Sequence, residues 1–224
     1  MEELKVVIVD YGIGNLFSVS RACERVGIKA IITADRSEIK TADALILPGV
    51  GAFGDAMNNL KKFNLIDSIH SFAESGKYMM GVCLGMQLLM TESEEFGKQQ
   101  GLGIIKGICK RFPNSSNEIK KIKVPQIMWN KIYAPTSLEF GEESPLNGFS
   151  EDEFMYFVHS YYVLPDEPSS VLSLTNYCGI EYCSSVKKNN IFAFQFHPEK
   201  SGEKGLTIYR NFKNLITNGR AEKY

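Results

Sequence analysis

The sequence places a cysteine between two glycines, in the order Gly81-Val82-Cys83-Leu84-Gly85. An apolar run that predicts a β-strand precedes this segment, and a predicted helix follows it. A sharp strand-to-helix turn with the nucleophile at its tip is called a nucleophile elbow, and here cysteine takes the place of serine. The two glycines would avoid a collision of side chains across the turn. The pattern therefore predicts that Cys83 is a nucleophile, and the alternative is a buried cysteine at a tight turn.

The same turn indicates where negative charge would be stabilised. Free amide groups at the start of the following helix favour a thiolate, which is the reactive form of cysteine. The backbone amide of Leu84 would donate to a developing oxyanion, and an elbow enzyme takes its second donor from another loop after a strand. The glycine-rich segment 48–53 (Pro-Gly-Val-Gly-Ala-Phe) directly follows a predicted strand. It is the candidate for that loop, and the alternative is an ordinary glycine-rich turn.

A cysteine nucleophile needs a base, and the chain has only three histidines. His70 lies in a helical pattern, which favours a surface or capping role. His159 follows a strand and could line a site. His197 ends an alternating strand at Pro198, and active sites of open α/β sheets lie at such strand ends. Glu199 follows two residues later and would hold the imidazole in one tautomer and orientation, whereas the alternative is a solvated turn.

The elements that must position these residues divide the chain into two halves. Strands and helices alternate in the first half, which predicts an α/β fold with a mostly parallel central sheet and helices on both faces. Strands dominate the second half and predict an antiparallel region. We expect one domain over residues 1–224. The predicted strands are 5–10, 29–33, 44–47, 78–80, 103–111, 131–133, 154–162, 171–175, 181–187 and 191–196, and the predicted helices are 15–26, 55–60, 65–74, 86–90 and 204–217.

Composition and charge exclude several classes of protein. The chain has 224 residues and a formal net charge of −1, so bulk charge does not attract it to nucleic acid. No uncharged stretch is long enough to cross a membrane, and the acidic start does not resemble a signal peptide.

No metal is expected, because the five cysteines lack zinc-site spacing. Apart from Cys83, we expect them to be buried, reduced thiols in a cytoplasmic protein. No cofactor is expected either, because Phe17 interrupts the dinucleotide pattern begun by Gly12 and Gly14.

Together these motifs resemble those of the class I, or triad, glutamine amidotransferases, and the resemblance extends over essentially the whole chain. The matching segments are the elbow extended to Gln87, the 48–51 loop and residues 194–199. Segments 10–15, 48–53, 157–162 and 197–201 are similar to the glutaminase subunits of imidazole glycerol phosphate synthases. The resemblance implies the fold of that family, glutamine as the substrate and no cofactor.

The resemblance also implies a catalytic role for each motif residue. Cys83 would attack the carboxamide of glutamine, His197 would be the general base and acid, and Glu199 would orient it. A thioester would form, ammonia would leave, and water would hydrolyse the glutamyl enzyme. Further positions match the oxyanion donors and the walls of the glutamine pocket: Val50 or Gly51 with Leu84, then Gln87, Glu95, Ser160 and Tyr161.

A second subunit is implied in the same way. The family's glutaminase subunits form heterodimers with a cyclase or synthase, and ammonia crosses between the subunits without meeting bulk water. Asn15, Trp129 and Lys200 match positions that face this partner. No nucleic acid and no membrane are expected as partners.

One segment departs from the family's pattern. The family usually carries Pro-His-Met-Gly-Trp-Asn, whereas residues 125–130 read Pro-Gln-Ile-Met-Trp-Asn, so Gln126 replaces histidine and Met128 replaces glycine. This segment borders the partner in the family, and we expect Gln126 at that interface. Two pathways stay open: histidine biosynthesis, which we favour, or a paralogous subunit that supplies ammonia to a synthase modifying a surface-polysaccharide or flagellar sugar.

Two other classes of protein share part of this pattern. Peptidases and γ-glutamyl hydrolases also use an elbow cysteine with a histidine, but the spacing of Glu199 from His197 and the 48–51 loop favour an amidotransferase. A non-catalytic protein that kept the fold would be expected to lack Cys83, His197 or Glu199, and all three are present.

Overall fold

The computed structural model describes residues 4–113, 122–135, 140–141, 143–150 and 153–221. The strands are β1 Val6–Val9, β2 Ala30–Thr33, β3 Ala44–Gly49, β4 Tyr78–Cys83, β5 Glu92–Ser93, β6 Gln99–Gln100, β7 Gly107–Arg111, β8 Gln126–Ile132, β9 Glu153–His159, β10 Tyr161–Pro165, β11 Val171–Tyr177, β12 Ile180–Lys188 and β13 Ile191–Phe194. The helices are α1 Leu16–Arg25, α2 Arg36–Thr41, α3 Phe53–Lys62, α4 Ile66–Glu74, α5 Leu84–Leu88 and α6 Gly202–Ala221. None of these helices, within the described residues, is long and apolar enough to cross a membrane.

Among the described residues, eleven strands form one large sheet in the order β2-β1-β3-β4-β13-β12-β10-β7-β5-β6, with β11 paired to β12. The pairs from β2 to β13 are all parallel, and the pairs of β12 with β13, β10 and β11 are antiparallel. This is the predicted division into a parallel first half and an antiparallel addition. The last strand of the chain, β13, lies beside β4, so the two halves meet where the cysteine and histidine motifs end their strands.

Alternate residues of the central strands enter two apolar layers on opposite faces of the sheet. Val6 and Ile8 pack into one layer with α1 and α6, whereas Val7 and Val9 pack into the other with the helices α2 to α5. The near-continuous apolar runs of β1, β3 and β4 follow from this burial on both faces. The parallel core is therefore rigid, and it positions the loops at its carboxyl edge.

A separate two-stranded sheet, β8 with β9, pairs Gln126 with His159 and Trp129 with Tyr156. The backbone amide of His197 donates to the carbonyl of Tyr156 at 2.9 Å, and the hydroxyl of Ser201 joins the same strand to the turn after β13. This sheet therefore rests directly on the segment that carries the histidine motif.

Several predicted elements differ from the observed ones. The single predicted strand 154–162 is two strands in different sheets, and the chain changes sheet at Ser160. Strand-forming residues continue through this break, because both segments are extended and local composition does not specify a pairing partner. The predicted strand 103–111 begins only at Gly107. The short elements α2, β5 and β6 were not predicted.

The cysteines also depart from expectation at one position. Cys23, Cys109 and Cys183 are buried free thiols as expected, but Cys178 is exposed. It lies in the turn between β11 and β12 with a φ of +54°. A hairpin tip has no second layer to cover it, so the prediction that Cys178 is buried was wrong.

Two glycines allow the β4–α5 turn to pack against its neighbours. A Cβ atom at Gly85 would lie 1.8 Å from the carbonyl oxygen of Leu47 on β3, and one at Gly81 would lie 2.8 Å from the Cβ of Ala193 on β13. The sequence pattern predicts this collision within the turn itself. The closest contacts instead come from the strands on either side, so the glycines are required by the sheet.

Gly85→Ala tests this packing. The added methyl group meets a backbone carbonyl that cannot rotate away, and we expect a loss of about 3 kcal/mol or more in the free energy of unfolding. Gly141→Ala is the control, because a Cβ atom there meets no atom of the described residues within 4 Å. Urea unfolding followed by circular dichroism would measure both, and equal midpoints for the two variants would contradict the packing argument.

Candidate active site

The candidate site lies at the carboxyl ends of three adjacent parallel strands, β3, β4 and β13. Gly49 is paired with Cys83, and Val82 is paired with Phe194. The chain segments that continue from these ends surround a cavity of about 410 Å³. This is the usual position for a site in an open α/β sheet.

Most of the sequence-predicted site residues line this cavity. They are Val50, Gly51, Cys83, Leu84, Gln87, Glu95, Ser160, Tyr161, His197 and Lys200, joined by Pro125, Val158 and His159. Glu199 lies behind His197, while Asn15, Gln126 and Trp129 lie outside the cavity. The three separate motifs thus converge on one space.

Cys83 occupies the last position of β4 with φ +54° and ψ −112°, a backbone conformation that residues other than glycine rarely adopt. Only 7% of the residue is exposed, although its thiol borders the cavity. The side-chain amide of Gln195 donates to its sulfur across 3.8 Å. Leu84 begins α5 at the next position, so its backbone amide belongs to the same turn as the thiol.

The imidazole of His197 is held on one side by Glu199. Its Nδ1 lies 2.7 Å from Oε1 of Glu199, and the side chains are 2% and 1% exposed. Burial by itself lowers the pKa of His197, but interaction with Cys83 and with Glu199 outweighs burial and raises it above the ordinary value. Its Nε2 has no hydrogen-bond partner among the described residues, which leaves that nitrogen available at the cavity.

The backbone carbonyl of Tyr161 is the acceptor for two cavity side chains. Nε2 of Gln87 donates to it at 3.1 Å, and Nδ1 of His159 lies 2.8 Å from it. Because a carbonyl only accepts, His159 carries its proton on Nδ1. Burial lowers the pKa of His159 to about 4, although the carbonyl partially opposes this effect. His159 is therefore a neutral, structural member of the cavity wall near neutral pH.

Glu95 connects the cavity to the glycine-rich loop after β3. Its Oε2 accepts a hydrogen bond of 2.6 Å from the backbone amide of Phe53, the first residue of α3. Burial raises the pKa of Glu95, and the bond from Phe53 opposes the rise. The carboxylate thus fixes the far end of the loop that contains Val50 and Gly51.

The residues predicted to face a partner subunit differ in their exposure. Lys200 is exposed at the cavity mouth, Trp129 is 47% exposed, and Asn15 caps α1 by accepting from the amide of Ser18. Gln126 is fully buried, and its Oε1 accepts from the hydroxyl of Tyr182. The expectation that the Gln126 side chain lies at the interface is wrong in this structure, because the residue occupies an inward position of β8.

Gln195 is the residue near the sulfur for which sequence reasoning assigned no role. It lies two positions before His197 in a segment with alternating apolar residues. Side chains two apart in an extended segment point to the same side, so this spacing was the available signal. Within the described part of the chain, no group of histidine, cysteine and acidic residues is arranged to hold a metal ion.

Comparison with known proteins agrees with this geometry. The family described as glutamine amidotransferase class-I matches residues 7–215. The chain belongs to this family. Its relatives include imidazole glycerol phosphate synthase subunit HisH of Aquifex aeolicus, 46% identical over 94% of this chain and 96% of the relative. The subunit of the same name from Bacillus subtilis is 44% identical over 96% and 99%.

Solved structures agree on the fold. A chain of PurLQS from Thermotoga maritima has a TM-score of 0.72 at 20% identity, covering 96% of this chain and 100% of that one. A structure described as a glutamine amidotransferase has a TM-score of 0.69 at 19% identity and covers 94% and 98%. The predicted fold, that of the class I glutamine amidotransferases, is therefore confirmed.

The buried state of His159 predicts a pH dependence of stability. In the folded protein it binds a proton only near pH 4, whereas in the unfolded chain it does so near 6.5. The unfolded state thus binds more protons between these values, and the free energy of unfolding falls as the pH is lowered through that window. The full contribution of His159 to the free energy of unfolding, which is present above pH 6.5, is about 3 kcal/mol.

We expect His159→Gln to have a shallower fall in the free energy of unfolding between pH 6.5 and 4 than the native chain. His70→Gln, which removes a histidine from α4, is the matched control. Urea titrations at several pH values measure the slope separately from any uniform loss of stability. A slope unchanged by His159→Gln would refute this assignment.

Proposed function

We propose that this chain is the glutaminase subunit of an imidazole glycerol phosphate synthase. It hydrolyses glutamine to glutamate and ammonia and passes the ammonia to a cyclase subunit in histidine biosynthesis. The observation that carries the proposal is the convergence of Cys83 and His197 on one cavity, with Glu199 bound to the far side of the imidazole at 2.7 Å. The two named relatives, at 46% and 44% identity over nearly the whole chain, support the pathway over the surface-sugar alternative.

The reaction follows from the positions of these three side chains. His197 takes the thiol proton on Nε2, and the Cys83 sulfur attacks the carboxamide carbon of glutamine. The imidazolium then gives the proton to the leaving nitrogen, the carbon–nitrogen bond breaks, and ammonia departs from a thioester. Water, deprotonated by the same imidazole, attacks the thioester and releases glutamate with the thiol restored. Glu199 stabilises the imidazolium in both halves of the cycle.

The remaining cavity residues hold the substrate and its oxyanion. The backbone amides of Leu84 and of Val50 or Gly51 are the donors for the tetrahedral oxyanion, and one such donor contributes about 3 kcal/mol to transition-state stabilisation in comparable sites. The Glu95 carboxylate suits the α-ammonium group of glutamine by charge. Three further residues complete the pocket: Gln87, Ser160 and Tyr161.

The partner binds, in this proposal, on the outer face of the β8–β9 sheet. Ile127, Trp129 and Phe154 are exposed by 58%, 47% and 48%, an uncommon concentration of large apolar side chains at a surface. The patch continues to the cavity mouth through Lys200, whose ammonium lies 6.0 Å from the ring centre of Tyr156. Ammonia released at Cys83 would therefore leave through the cavity mouth beside Lys200, next to this face.

The domain boundaries and the cellular compartment of the enzyme are part of the same proposal. One continuous eleven-stranded sheet and a family match over residues 7–215 support a single glutaminase domain over 1–224. Five free cysteines, without a disulfide, fit a reducing compartment, and we place the enzyme in the cytoplasm.

Glutamine hydrolysis in three mixtures tests the pathway. They contain the chain alone, the chain with the histidine-pathway cyclase of the same organism, and both subunits with the cyclase's ribonucleotide substrate. We expect little turnover alone and strong stimulation in the third mixture. Absence of stimulation, with Cys83 shown to be reactive, would mean that a different synthase is the partner.

Cys83→Ala tests the chemistry in the same assay. Because the nucleophile is removed and the fold is not, we expect glutamine hydrolysis to disappear. Complex formation and synthesis fed with free ammonia should persist. Cys109→Ala, which removes another buried thiol, is the control and should keep glutamine hydrolysis. Turnover retained by Cys83→Ala would exclude the proposed thioester.

Trp129→Ala tests the partner surface. Truncation of a central aromatic side chain commonly costs about 2 kcal/mol or more, so we expect at least a roughly 30-fold rise in Kd for the cyclase. Ile32→Ala is the matched control, because Ile32 is 41% exposed on β2, an edge strand of the large sheet and not part of the β8–β9 sheet. Calorimetric titration measures both, and equal Kd values for them would place the interface elsewhere.

A further inference from the structure

The Gln195 side chain lies between the Cys83 sulfur and Gln87, and it is fully buried. Its Nε2 donates to the sulfur at 3.8 Å, and its Oε1 accepts from Nε2 of Gln87 at 3.0 Å. The same nitrogen of Gln87 donates to the carbonyl of Tyr161 at 3.1 Å. Three hydrogen bonds thus form a continuous relay from a backbone carbonyl to the sulfur.

The direction of this relay follows from its backbone end. The Tyr161 carbonyl only accepts, so the Gln87 group that faces it must be the NH₂ group. That group has two hydrogens, and the second can only meet an acceptor, so Oε1 of Gln195 must face it. The amide nitrogen of Gln195 is then left to face the sulfur. Neither glutamine can rotate its amide by half a turn without bringing two like groups together.

We propose that Gln195 is a catalytic residue that donates a hydrogen bond to the Cys83 thiolate, and that Gln87 is a positioning residue that fixes the direction of this bond. The proposal deepens the glutaminase mechanism and rests on it for its role in turnover. It also revises the role of Gln87, because both of its amide hydrogens are committed within the relay. Only its Oε1 remains available to the substrate.

The relay acts when negative charge is on sulfur. After His197 removes the thiol proton, the Gln195 amide stabilises the thiolate. When the sulfur–carbon bond forms, that charge passes to the carbonyl oxygen and the backbone donors. When the tetrahedral adduct of water collapses, the carbon–sulfur bond breaks and the electron pair returns to sulfur, which regains the hydrogen bond. Gln195 therefore stabilises the leaving group of thioester hydrolysis without itself exchanging a proton.

Alkylation of Cys83 by iodoacetamide, followed by mass spectrometry as a function of pH, tests the proposal on the full-length chain without glutamine or a partner. Gln195→Leu removes the donor. We expect the pH midpoint of alkylation to rise and the rate below the midpoint to fall about tenfold, as for loss of a hydrogen bond to a charged group. Gln126→Leu is the matched control, since this buried glutamine contacts Tyr182 and should leave the midpoint unchanged.

Gln87→Glu tests the direction of the relay. The introduced carboxylate only accepts, so the Gln195 amide should turn its nitrogen toward position 87 and its oxygen toward the sulfur. We expect the alkylation midpoint to rise as much as in Gln195→Leu, or more, although the sulfur's own neighbour is unchanged. Gln87→Leu removes the hydrogen bond to Gln195 without forcing the Gln195 amide to turn, so the alkylation midpoint should rise less.

The outcomes separate the two proposals. A folded Gln195→Leu with the native midpoint would overturn the relay, even if the native complex hydrolyses glutamine. An inactive native complex with shifted midpoints would overturn the proposed function and leave the thiolate contact standing. If circular dichroism shows that Gln195→Leu does not fold, Gln195→Met replaces it, because methionine has nearly the volume of glutamine. Gln87→Glu also remains decisive, because an unchanged alkylation midpoint in that variant would contradict the fixed direction of the hydrogen-bond relay.

Discussion

The turn at Cys83 holds its backbone in a conformation that costs about 1–3 kcal/mol for a residue other than glycine, and the sheet prevents it from relaxing. Cys83 has a φ of +54°, while the next turn residue that could shift, Gly85, already lies against the carbonyl of Leu47. Gly49 is paired with Cys83 across the same two strands. Backbone pairing between β3 and β4 therefore fixes the position of the thiol relative to the glycine-rich loop.

Three polar side chains of the cavity share one arrangement, in which a protein group holds one end and the other end faces the cavity. Glu199 holds the far nitrogen of His197, the Tyr161 carbonyl holds Gln87, and the Phe53 amide holds one oxygen of Glu95. Taking charged groups out of water is expensive, and partners recover this cost only when their geometry is fixed. The segments that follow β3, β9 and β13 supply these fixed partners, so one face of each group stays open to the cavity.

Local rules account for what the sequence could predict. Strand and helix alternation and the short spacing of His197 and Glu199 each depend on neighbouring residues, and the structure brings these motifs together. The failures depend on distant contacts. The strand break at Ser160 and the burial of Gln126 are set by which strand each segment pairs with, and hydrophobic periodicity does not encode that choice. The contact of Gln195 with the sulfur joins residues 112 positions apart. The only signal for it in the sequence is that Gln195 lies two residues before His197.

The β8–β9 sheet connects the exposed surface to the chemistry through one strand. Tyr156 lies opposite the exposed Trp129 on its outer face, and its backbone carbonyl accepts from the amide of His197. The same strand ends at His159, just before the carbonyl of Tyr161 that anchors the glutamine relay. A change in the position of this strand would therefore move the contacts of both His197 and Gln87. Because both contacts pass through backbone atoms, substitution of side chains on the outer face can tune partner binding without altering the groups that react.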